Sequence, residues 1–229
     1  GVDLIFPHHE NEIAQSEGAF NRKFVNYWLH SEHLIMEGRK MSKSLGNILP
    51  VRDILKKGYS GRTIRYLLLS AHYRAQLNFT EAGLKQAEAS LQRLNDFLHR
   101  LRTVEGGEDN PRISEKCLEV QKRFEEAMDN DLGVPEALAS VFDFSRDVNK
   151  LIDTEGASKE NLEEAFDTML KLDRVLGVLE TGEERIMSEE VMQLIQLREE
   201  ARRRRDWKEA DRIRAELVEK GVLLEDTSE

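Results

Sequence analysis

The sequence is poor in cysteine, proline and aromatic residues, and each shortage excludes a class of protein. A single cysteine, Cys117, cannot form a disulfide framework, so a reducing cytoplasm is the expected location. Four prolines and 7% aromatic residues argue against a β-sandwich. No run of 18 apolar residues is present, so neither a membrane-spanning helix nor a membrane partner is expected.

Acidic side chains outnumber basic ones, which limits how the chain could bind a polyanion. The 229 residues carry 44 Asp and Glu against 34 Lys and Arg, a formal net charge of −10. This balance excludes a generally basic nucleic-acid binder, so any nucleic-acid contact must come from a local cluster of cations. Two such clusters are present, at Arg39–Lys43 and at Arg202–Arg205.

The first cluster lies between Gly38 and Gly46, in a stretch with neither helical nor strand periodicity, so a loop is predicted. The flanking glycines would let it close over a nucleotide and open again. The Lys43 ammonium could neutralise phosphate charge, and the Ser42 and Ser44 hydroxyls could donate hydrogen bonds to phosphate oxygens. On composition alone, a solvated charged turn explains the same residues.

The string Lys-Met-Ser-Lys-Ser at 40–44, followed by Leu-Gly-Asn, resembles the KMSKS loop of class I aminoacyl-tRNA synthetases. In that family the loop holds the triphosphate of ATP while the amino acid attacks the α-phosphate. The resemblance implies ATP with Mg²⁺ as substrate, and phosphate contacts from Lys43, Ser42 and Ser44. Lys43 would stabilise the developing charge by electrostatics, and Lys40 would do so more weakly.

A histidine and a glutamate near the start of the chain have metal-ligand character. Pro7 fits the first turn of a helix, on which His8 and Glu12 share a face. Imidazole and carboxylate both bind zinc, although two ligands do not complete a tetrahedral site. The same spacing is that of an ordinary His–Glu pair on a helix surface.

The string His-His-Glu-Asn-Glu at 8–12 resembles the HHENE segment of cysteinyl-tRNA synthetases. There the first His and the last Glu bind zinc together with two cysteines, and the zinc selects cysteine by its thiolate. The resemblance implies Zn²⁺ ligands at His8 and Glu12 and cysteine as substrate. The family's two cysteine ligands lie upstream and have no counterpart here, since Cys117 is in a different region. Half of a zinc site is therefore expected.

Between and after these motifs, apolar patterns predict mostly helices. Leu34–Met36 is predicted to be a short strand leading to the basic loop, with Trp28, His30 and His33 packed beside it. Thr80 is predicted to begin a long helix. The predicted helices cover residues 51–57, 62–69, 81–101, 113–128, 137–151 and 160–179, and one more runs from 188 past 198.

Four basic side chains follow the loop, at Arg62, Arg65, His72 and Arg74. In the class I family a connecting fold at this place touches the inner tRNA stem, so the resemblance makes these residues candidate phosphate contacts. They are explained equally well as surface charges. The family's DDFNTPEA-like turn is also present at 129–137, with a departure at the Leu-Gly-Val that precedes Pro-Glu-Ala.

The second cationic cluster, Arg202–Arg205, precedes Trp207 at a predicted helix break. Cations beside an aromatic ring suit single-stranded RNA bases, but a helical hairpin with Trp207 as its corner plug explains the pattern equally well. The segment resembles the anticodon-binding end of cysteinyl-tRNA synthetases. An Arg, a Trp and an Asp contact anticodon bases there, which implies Arg202, Trp207 and Asp211 as contacts to tRNA-Cys.

The resemblances span nearly the whole chain and imply a mainly α fold. Residues 1–50 would be the C-terminal remnant of a Rossmann α/β catalytic domain, and residues 51–78 a connecting stem-contact region. Residues 79–181 would form a DALR-like four-helix bundle, and residues 182–229 a small C-terminal anticodon-binding domain.

The implied function is that of a cysteine-tRNA ligase, which makes cysteinyl-adenylate from cysteine and ATP and transfers cysteine to tRNA. The chain begins without Met, at Gly1–Phe6, in what looks like a buried strand or its approach. The family's HIGH motif, which binds ATP from the other half of the Rossmann fold, is absent. We therefore expect a missing N-terminal half as partner and no aminoacylation by this chain alone.

Two other functions stay open on the sequence. One is a cysteine ligase acting on an amino-sugar, which shares HHENE and KMSKS-like strings. It should lack the anticodon-binding piece, so the residues Arg202–Asp211 count against it. The other is a non-catalytic tRNA-binding module, which describes the chain if the missing half is never present.

Overall fold

The computed structural model describes residues 1–42, 46–180, 193–198, 200–204 and 206–219. The chain divides into two compact units, Gly1–Leu179 and Glu180–Glu229. Both units are helical over most of their described residues, which confirms the mainly α prediction. Within the described residues, no helix is both long and apolar enough to cross a membrane.

The elements follow the chain from the HHENE motif to the arginine cluster. In the first unit they are α1 (Glu10–Phe20), β1 (Ile35–Met36), β2 (Arg39–Lys40), α2 (Val51–Lys56), α3 (Gly61–Leu69), β3 (Asn78–Phe79), α4 (Glu81–Thr103), α5 (Pro111–Asp129), α6 (Val134–Glu155) and α7 (Lys159–Leu176). In the second unit residues 193–198 and 200–203 are helical, and α8 is Trp207–Glu219.

The first nine residues form helical turns, so the strand predicted at Gly1–Phe6 is wrong. Val2–Leu4 is a 3-10 turn and Ile5–His9 a wider helical turn, interrupted by extended backbone at Phe6. A strand needs a neighbouring strand to satisfy its N–H and C=O groups. The sheet in the described part of the chain contains β1, β2 and β3, and this segment does not join it. The Phe6 side chain is 77% exposed.

A three-stranded sheet delivers the chain to the basic loop. Its order is β2-β1-β3, with β1 antiparallel to β2 and parallel to β3. The predicted strand is confirmed at β1, but the predicted loop is wrong at Arg39–Lys40, which form β2. The hairpin turn Glu37–Gly38 has positive φ at both residues (47° and 73°), as two-residue hairpins require. With only two residues, β2 is too short for the alternation of side chains that identifies a strand in a sequence.

The predicted four-helix bundle is confirmed as α4–α7, whose apolar faces pack on one another. The Thr80 hydroxyl accepts a hydrogen bond from the Gly83 N–H at 2.9 Å, which caps α4 as predicted. Phe97 and Phe144 meet edge to face across the core, with ring centroids 6.0 Å apart. Burying each such side chain contributes roughly 1.5–3 kcal/mol. Most of the unit's stability therefore lies in the bundle.

Arg65 joins the helix after the basic loop to the bundle. Its Nη2 donates to the Val175 carbonyl at 3.3 Å, and its Nε donates to the Leu176 carbonyl. These carbonyls lie in the last turn of α7, where main-chain acceptors have no helical partner. Arg65 is thus a helix cap between α3 and α7. This role differs from both the stem-phosphate contact and the free surface charge that the sequence suggested.

Asp131, in the turn between α5 and α6, binds three consecutive side chains of the segment before β3. The Tyr73 hydroxyl donates to its Oδ1 at 2.5 Å, and the Arg74 Nε lies 2.7 Å from its Oδ2. The His72 Nε2 lies 2.9 Å from its backbone oxygen. His72 and Arg74 are therefore engaged within the protein, which favours a structural role for them over a phosphate contact. The carboxylate fixes this segment to the bundle.

Within the departure at Leu132–Val134, the glycine has a packing explanation. The Gly133 N–H donates to the Ala127 carbonyl at 2.9 Å, and a Cβ on Gly133 would lie 2.8 Å from that oxygen. Only glycine permits so close an approach. The turn thereby presents Asp131 toward Arg74 while α6 begins at Val134.

We expect Asp131→Asn to lower the melting temperature at neutral pH. Hydrogen bonds from Tyr73 and Arg74 hold the pKa of Asp131 below its ordinary value of about 3.9. The stabilisation is therefore present above that ordinary value and is lost as the pH falls through the lowered one. Asparagine tolerates the positive φ of 57°, so the substitution keeps the turn and removes the charge together with one of the two acceptor oxygens. The difference in melting temperature between the wild type and Asp131→Asn should disappear as the pH is lowered. A difference that does not depend on pH would contradict the stabilising role of the Asp131 carboxylate.

Candidate functional site

The basic loop leaves the sheet from the end of β2. Lys40 is exposed on β2, opposite Ile35 of β1. Ser42 follows it and is half-buried. The predicted catalytic residue Lys43 and phosphate contact Ser44 lie outside the described residues. The structure therefore gives the two ends of the loop.

Asn47 ties those ends together, although no role for it was predicted from the sequence. Its Oδ1 accepts a hydrogen bond from the Ser42 N–H at 2.8 Å, and its Nδ2 donates to the Lys40 carbonyl at 3.0 Å. Met41 and Leu49, next to these residues, pack against the hydrophobic core. The sequence does contain a signal for this role, an amide side chain directly after a glycine at the end of a loop. Asn side chains readily form hydrogen bonds to nearby backbone groups.

The predicted metal residues are brought together at the start of α1. The His8 Nε2 and the Glu12 Oε1 are 3.8 Å apart, and both side chains face solvent. Tetrahedral zinc with ligand bonds of about 2.0–2.1 Å places ligand atoms roughly 3.4 Å apart. A small side-chain movement would therefore suffice for both to bind one ion. His9 offers a third donor atom, and all three donor atoms lie within 4.8 Å of one another.

Thiolate ligands are missing from this group. Cys117 is fully buried in α5, and burial raises the pKa of its thiol to about 11. A neutral, enclosed thiol does not bind zinc or react at neutral pH. The described residues thus offer imidazole and carboxylate donors without a thiolate, and zinc binding by His8 and Glu12 stays a prediction.

An aromatic cluster backs the metal residues. His9 Nδ1 lies 2.8 Å from His30 Nε2, and the Trp28 ring lies 4.7 Å from the His9 ring. Trp28 and His30 are half-buried, so their predicted packing role is confirmed, although it is beside His9. The same prediction for His33 is wrong. Its side chain is 46% exposed and its Nε2 lies 3.5 Å from the Asp3 carboxylate.

The second unit places the three predicted RNA contacts on its surface. The helical residues 200–203 end before Asp206, whose carboxylate accepts the Glu209 N–H at 3.2 Å and begins α8. The predicted helix break is thereby confirmed. Arg202 and Asp211 are exposed, and Trp207 is 59% exposed.

The exposure of Trp207 argues against the corner-plug interpretation of its neighbourhood. A corner plug would be buried, whereas the residues buried in this unit include Ala210, Ile213 and Leu217 on α8. Trp207 and Asp211 are four residues apart on α8 and share a face. An exposed indole beside cations can stack on an unpaired base.

Three family models match successive parts of the chain. A model described as the tRNA synthetases class I (C) catalytic domain matches residues 1–89. A DALR domain model matches residues 123–180, and a cysteinyl-tRNA ligase anticodon binding domain model matches residues 185–229.

Curated relatives match the chain nearly end to end. Cysteine–tRNA ligases of Chlamydia muridarum and Chlamydia pneumoniae are 46% and 48% identical to it over 99% of its length. The chain spans 50% and 48% of those two relatives, or about half of their length.

A solved structure shares the fold. The agnB2 LeuRS of Agrobacterium radiobacter K84, crystallised as a ternary complex with tRNA and LeuAMS, superposes with a TM-score of 0.56. The match covers 78% of this chain and 25% of that one at 21% identity, so it concerns the fold alone. The three ordered domain matches and the curated relatives together show that the chain belongs to the cysteinyl-tRNA synthetase family.

Proposed function

We propose that the chain is the ATP-loop-bearing half of a cysteine-tRNA ligase. One observation carries the proposal: a class I catalytic domain, a DALR domain and a cysteinyl-tRNA ligase anticodon binding domain match in that order within 229 residues. The reaction is the activation of cysteine by ATP to cysteinyl-adenylate, followed by transfer to the terminal adenosine of tRNA-Cys.

The basic loop supplies charge to the triphosphate. Lys43 stabilises negative charge as pyrophosphate leaves, and Lys40 adds a weaker field from the end of β2. Ser42 and Ser44 donate hydrogen bonds to phosphate oxygens, and Mg²⁺ accompanies the nucleotide. The exposure of Lys40 supports a role facing a ligand.

The metal residues hold Zn²⁺ in our proposal, with His8 and Glu12 as two of its ligands. Their 3.8 Å separation on one helical face supports it. When bound, zinc supplies a Lewis-acid centre that prefers a thiolate to a hydroxyl. His8 would contribute a nitrogen from the wider turn before α1, and Glu12 an oxygen from the first turn of α1.

An N-terminal half of the catalytic domain is the proposed protein partner. Its absence from this chain agrees with the chain's half coverage of the relatives. Phe6, Phe20 and Tyr27 are 77%, 70% and 86% exposed, and large apolar side chains left exposed in one segment support an interface there. A cytoplasmic location agrees with a single buried, reduced cysteine.

The anticodon end carries the RNA contacts in our proposal. Arg202, Trp207 and Asp211 contact anticodon bases of tRNA-Cys by charge, stacking and hydrogen bonding. The exposed Trp207 supports this role. The match to an anticodon binding domain at 185–229 weighs against an amino-sugar acceptor.

A fusion protein tests the proposal directly. The part of the Chlamydia pneumoniae enzyme that precedes the matched region would be joined to this chain. The fusion would be supplied with cysteine, ATP and tRNA-Cys transcript, and in a parallel reaction with an amino-sugar in place of the tRNA. We expect cysteinyl-tRNA as the product. Cysteine transfer to an amino-sugar instead, or no product from a folded fusion, would contradict the proposal.

A further inference from the structure

The two ends of the basic loop are held by a single side chain. Asn47 accepts from the Ser42 N–H at 2.8 Å and donates to the Lys40 carbonyl at 3.0 Å. These two bonds use both the carbonyl and the amine group of one amide. The two Asn47 bonds thus join the loop's entry to its exit.

Each end is also anchored independently to the rest of the unit. Lys40 belongs to β2, which pairs with β1. The hairpin turn before it is fixed because the Gly38 N–H donates to the Asn78 Oδ1 at 2.8 Å. On the exit side Leu49 packs against the core. Both ends of the loop are therefore held by the fold, and Asn47 sets the spacing between them.

The backbone at the exit explains why an amide is needed at this position. Gly46 has φ +62°, a left-handed turn that brings the following residue back toward the strand. Asn47 is half-buried there, and its side chain reaches two backbone groups of opposite polarity. A carboxylate could accept from Ser42 but not donate to Lys40, and an apolar side chain could do neither.

We propose that Asn47 is a positioning residue for ATP activation, acting through the spacing of the loop ends. This inference rests on the proposed function of the loop. It adds Asn47, to which the proposed function assigns no role. Catalysis by placed charge depends on geometry, and a shift of about 1 Å can cost on the order of 100-fold in rate. Loosening the ends should therefore lower the rate of activation more than it lowers binding.

The first test uses the chain itself and the exchange of one amide hydrogen. In Asn47→Ala the Ser42 N–H loses its acceptor, so we expect its exchange with deuterium to be about tenfold or more faster than in the wild type. In Asn47→Asp the acceptor is kept and protection should be retained. Asn26→Ala, an exposed asparagine, is the matched control and should behave as the wild type. Unchanged exchange in Asn47→Ala would overturn the proposed clamp.

The second test uses the fusion protein and ATP–pyrophosphate exchange. We expect Asn47→Ala to lower kcat about 10- to 100-fold, with the KM for cysteine, tRNA affinity and melting temperature unchanged. Asn47→Asp should show an intermediate kcat because it restores one bond of two. Wild-type kcat in Asn47→Ala, or a loss matched by lower melting temperature and weaker tRNA binding, would overturn the positioning role. An inactive wild-type fusion would contradict the proposed function instead, and would leave the amide result standing.

Discussion

Replacing Lys43 with alanine should lower cysteine-dependent ATP–pyrophosphate exchange by the fusion protein about 100- to 1,000-fold. The expected loss is that of one preorganised group that stabilises transition-state charge, about 2.7–4 kcal/mol. The change should appear in kcat, because the charge on the leaving pyrophosphate develops only as the reaction proceeds. Lys43→Arg should recover part of the rate, since the charge remains while its shape and reach differ.

Lys23→Ala is the matched control for this experiment. Lys23 is an exposed lysine after α1, so its loss changes the net charge by the same amount. We expect less than a twofold effect on exchange. Equal losses in the two variants would mean that overall charge, and not Lys43, is responsible. Full activity of Lys43→Ala would remove the loop from the chemistry.

Replacing Trp207 with alanine should weaken the binding of tRNA-Cys about 10- to 100-fold. Stacking of a base on an aromatic side chain is worth about 1–3 kcal/mol. Because the indole is 59% exposed, its removal leaves no large cavity and the unit should keep its fold. Filter binding or fluorescence titration with a tRNA-Cys transcript measures the effect.

Leu197→Ala is the control for the indole. Leu197 is 53% exposed in the same unit, so it removes a comparable exposed apolar group without an aromatic face. We expect its tRNA affinity to stay within about twofold of the wild type. Unchanged affinity in Trp207→Ala, in a protein with wild-type circular dichroism, would return Trp207 to a structural role.

The helices were predictable because their signals are local. Thr80 as a cap, Pro135 at a helix start, and apolar residues at helical spacing define α4–α7 within a few residues, although α5 begins at Pro111, two residues before the predicted start. The break at Asp206 has the same origin, since a side chain that caps a helix acts on the next turn of its own chain.

The errors arise where a residue's partner is distant in the sequence or absent. Gly1–Phe6 has the letters of a strand, but a strand forms only where another backbone pairs with it. Arg74 and Asp131 are 57 residues apart, and no period or motif connects them. Phosphate binding was a fair inference for Arg74 from its charge alone, because charge does not reveal which carboxylate lies nearby.

In the candidate site, too, the local feature was predictable from the sequence and the long-range one was not. The His8–Glu12 pair follows from helix geometry and is observed at 3.8 Å. Asn47 lies at the end of the KMSKS-like motif, yet its role depends on how closely the two loop ends approach each other. The β1–β2 hairpin and the turn at Gly46 bring the two ends near each other, and Asn47 then bridges them, so the contact becomes visible only in three dimensions.

The decisive measurement is ATP–pyrophosphate exchange with cysteine, made on the isolated 229 residues and again on the fusion protein. We expect no exchange above background for the chain alone, because the HIGH side of the nucleotide site is not in its sequence. We expect robust exchange once that half is joined. Robust exchange by the isolated chain would contradict the claim that it carries one half of a divided active site.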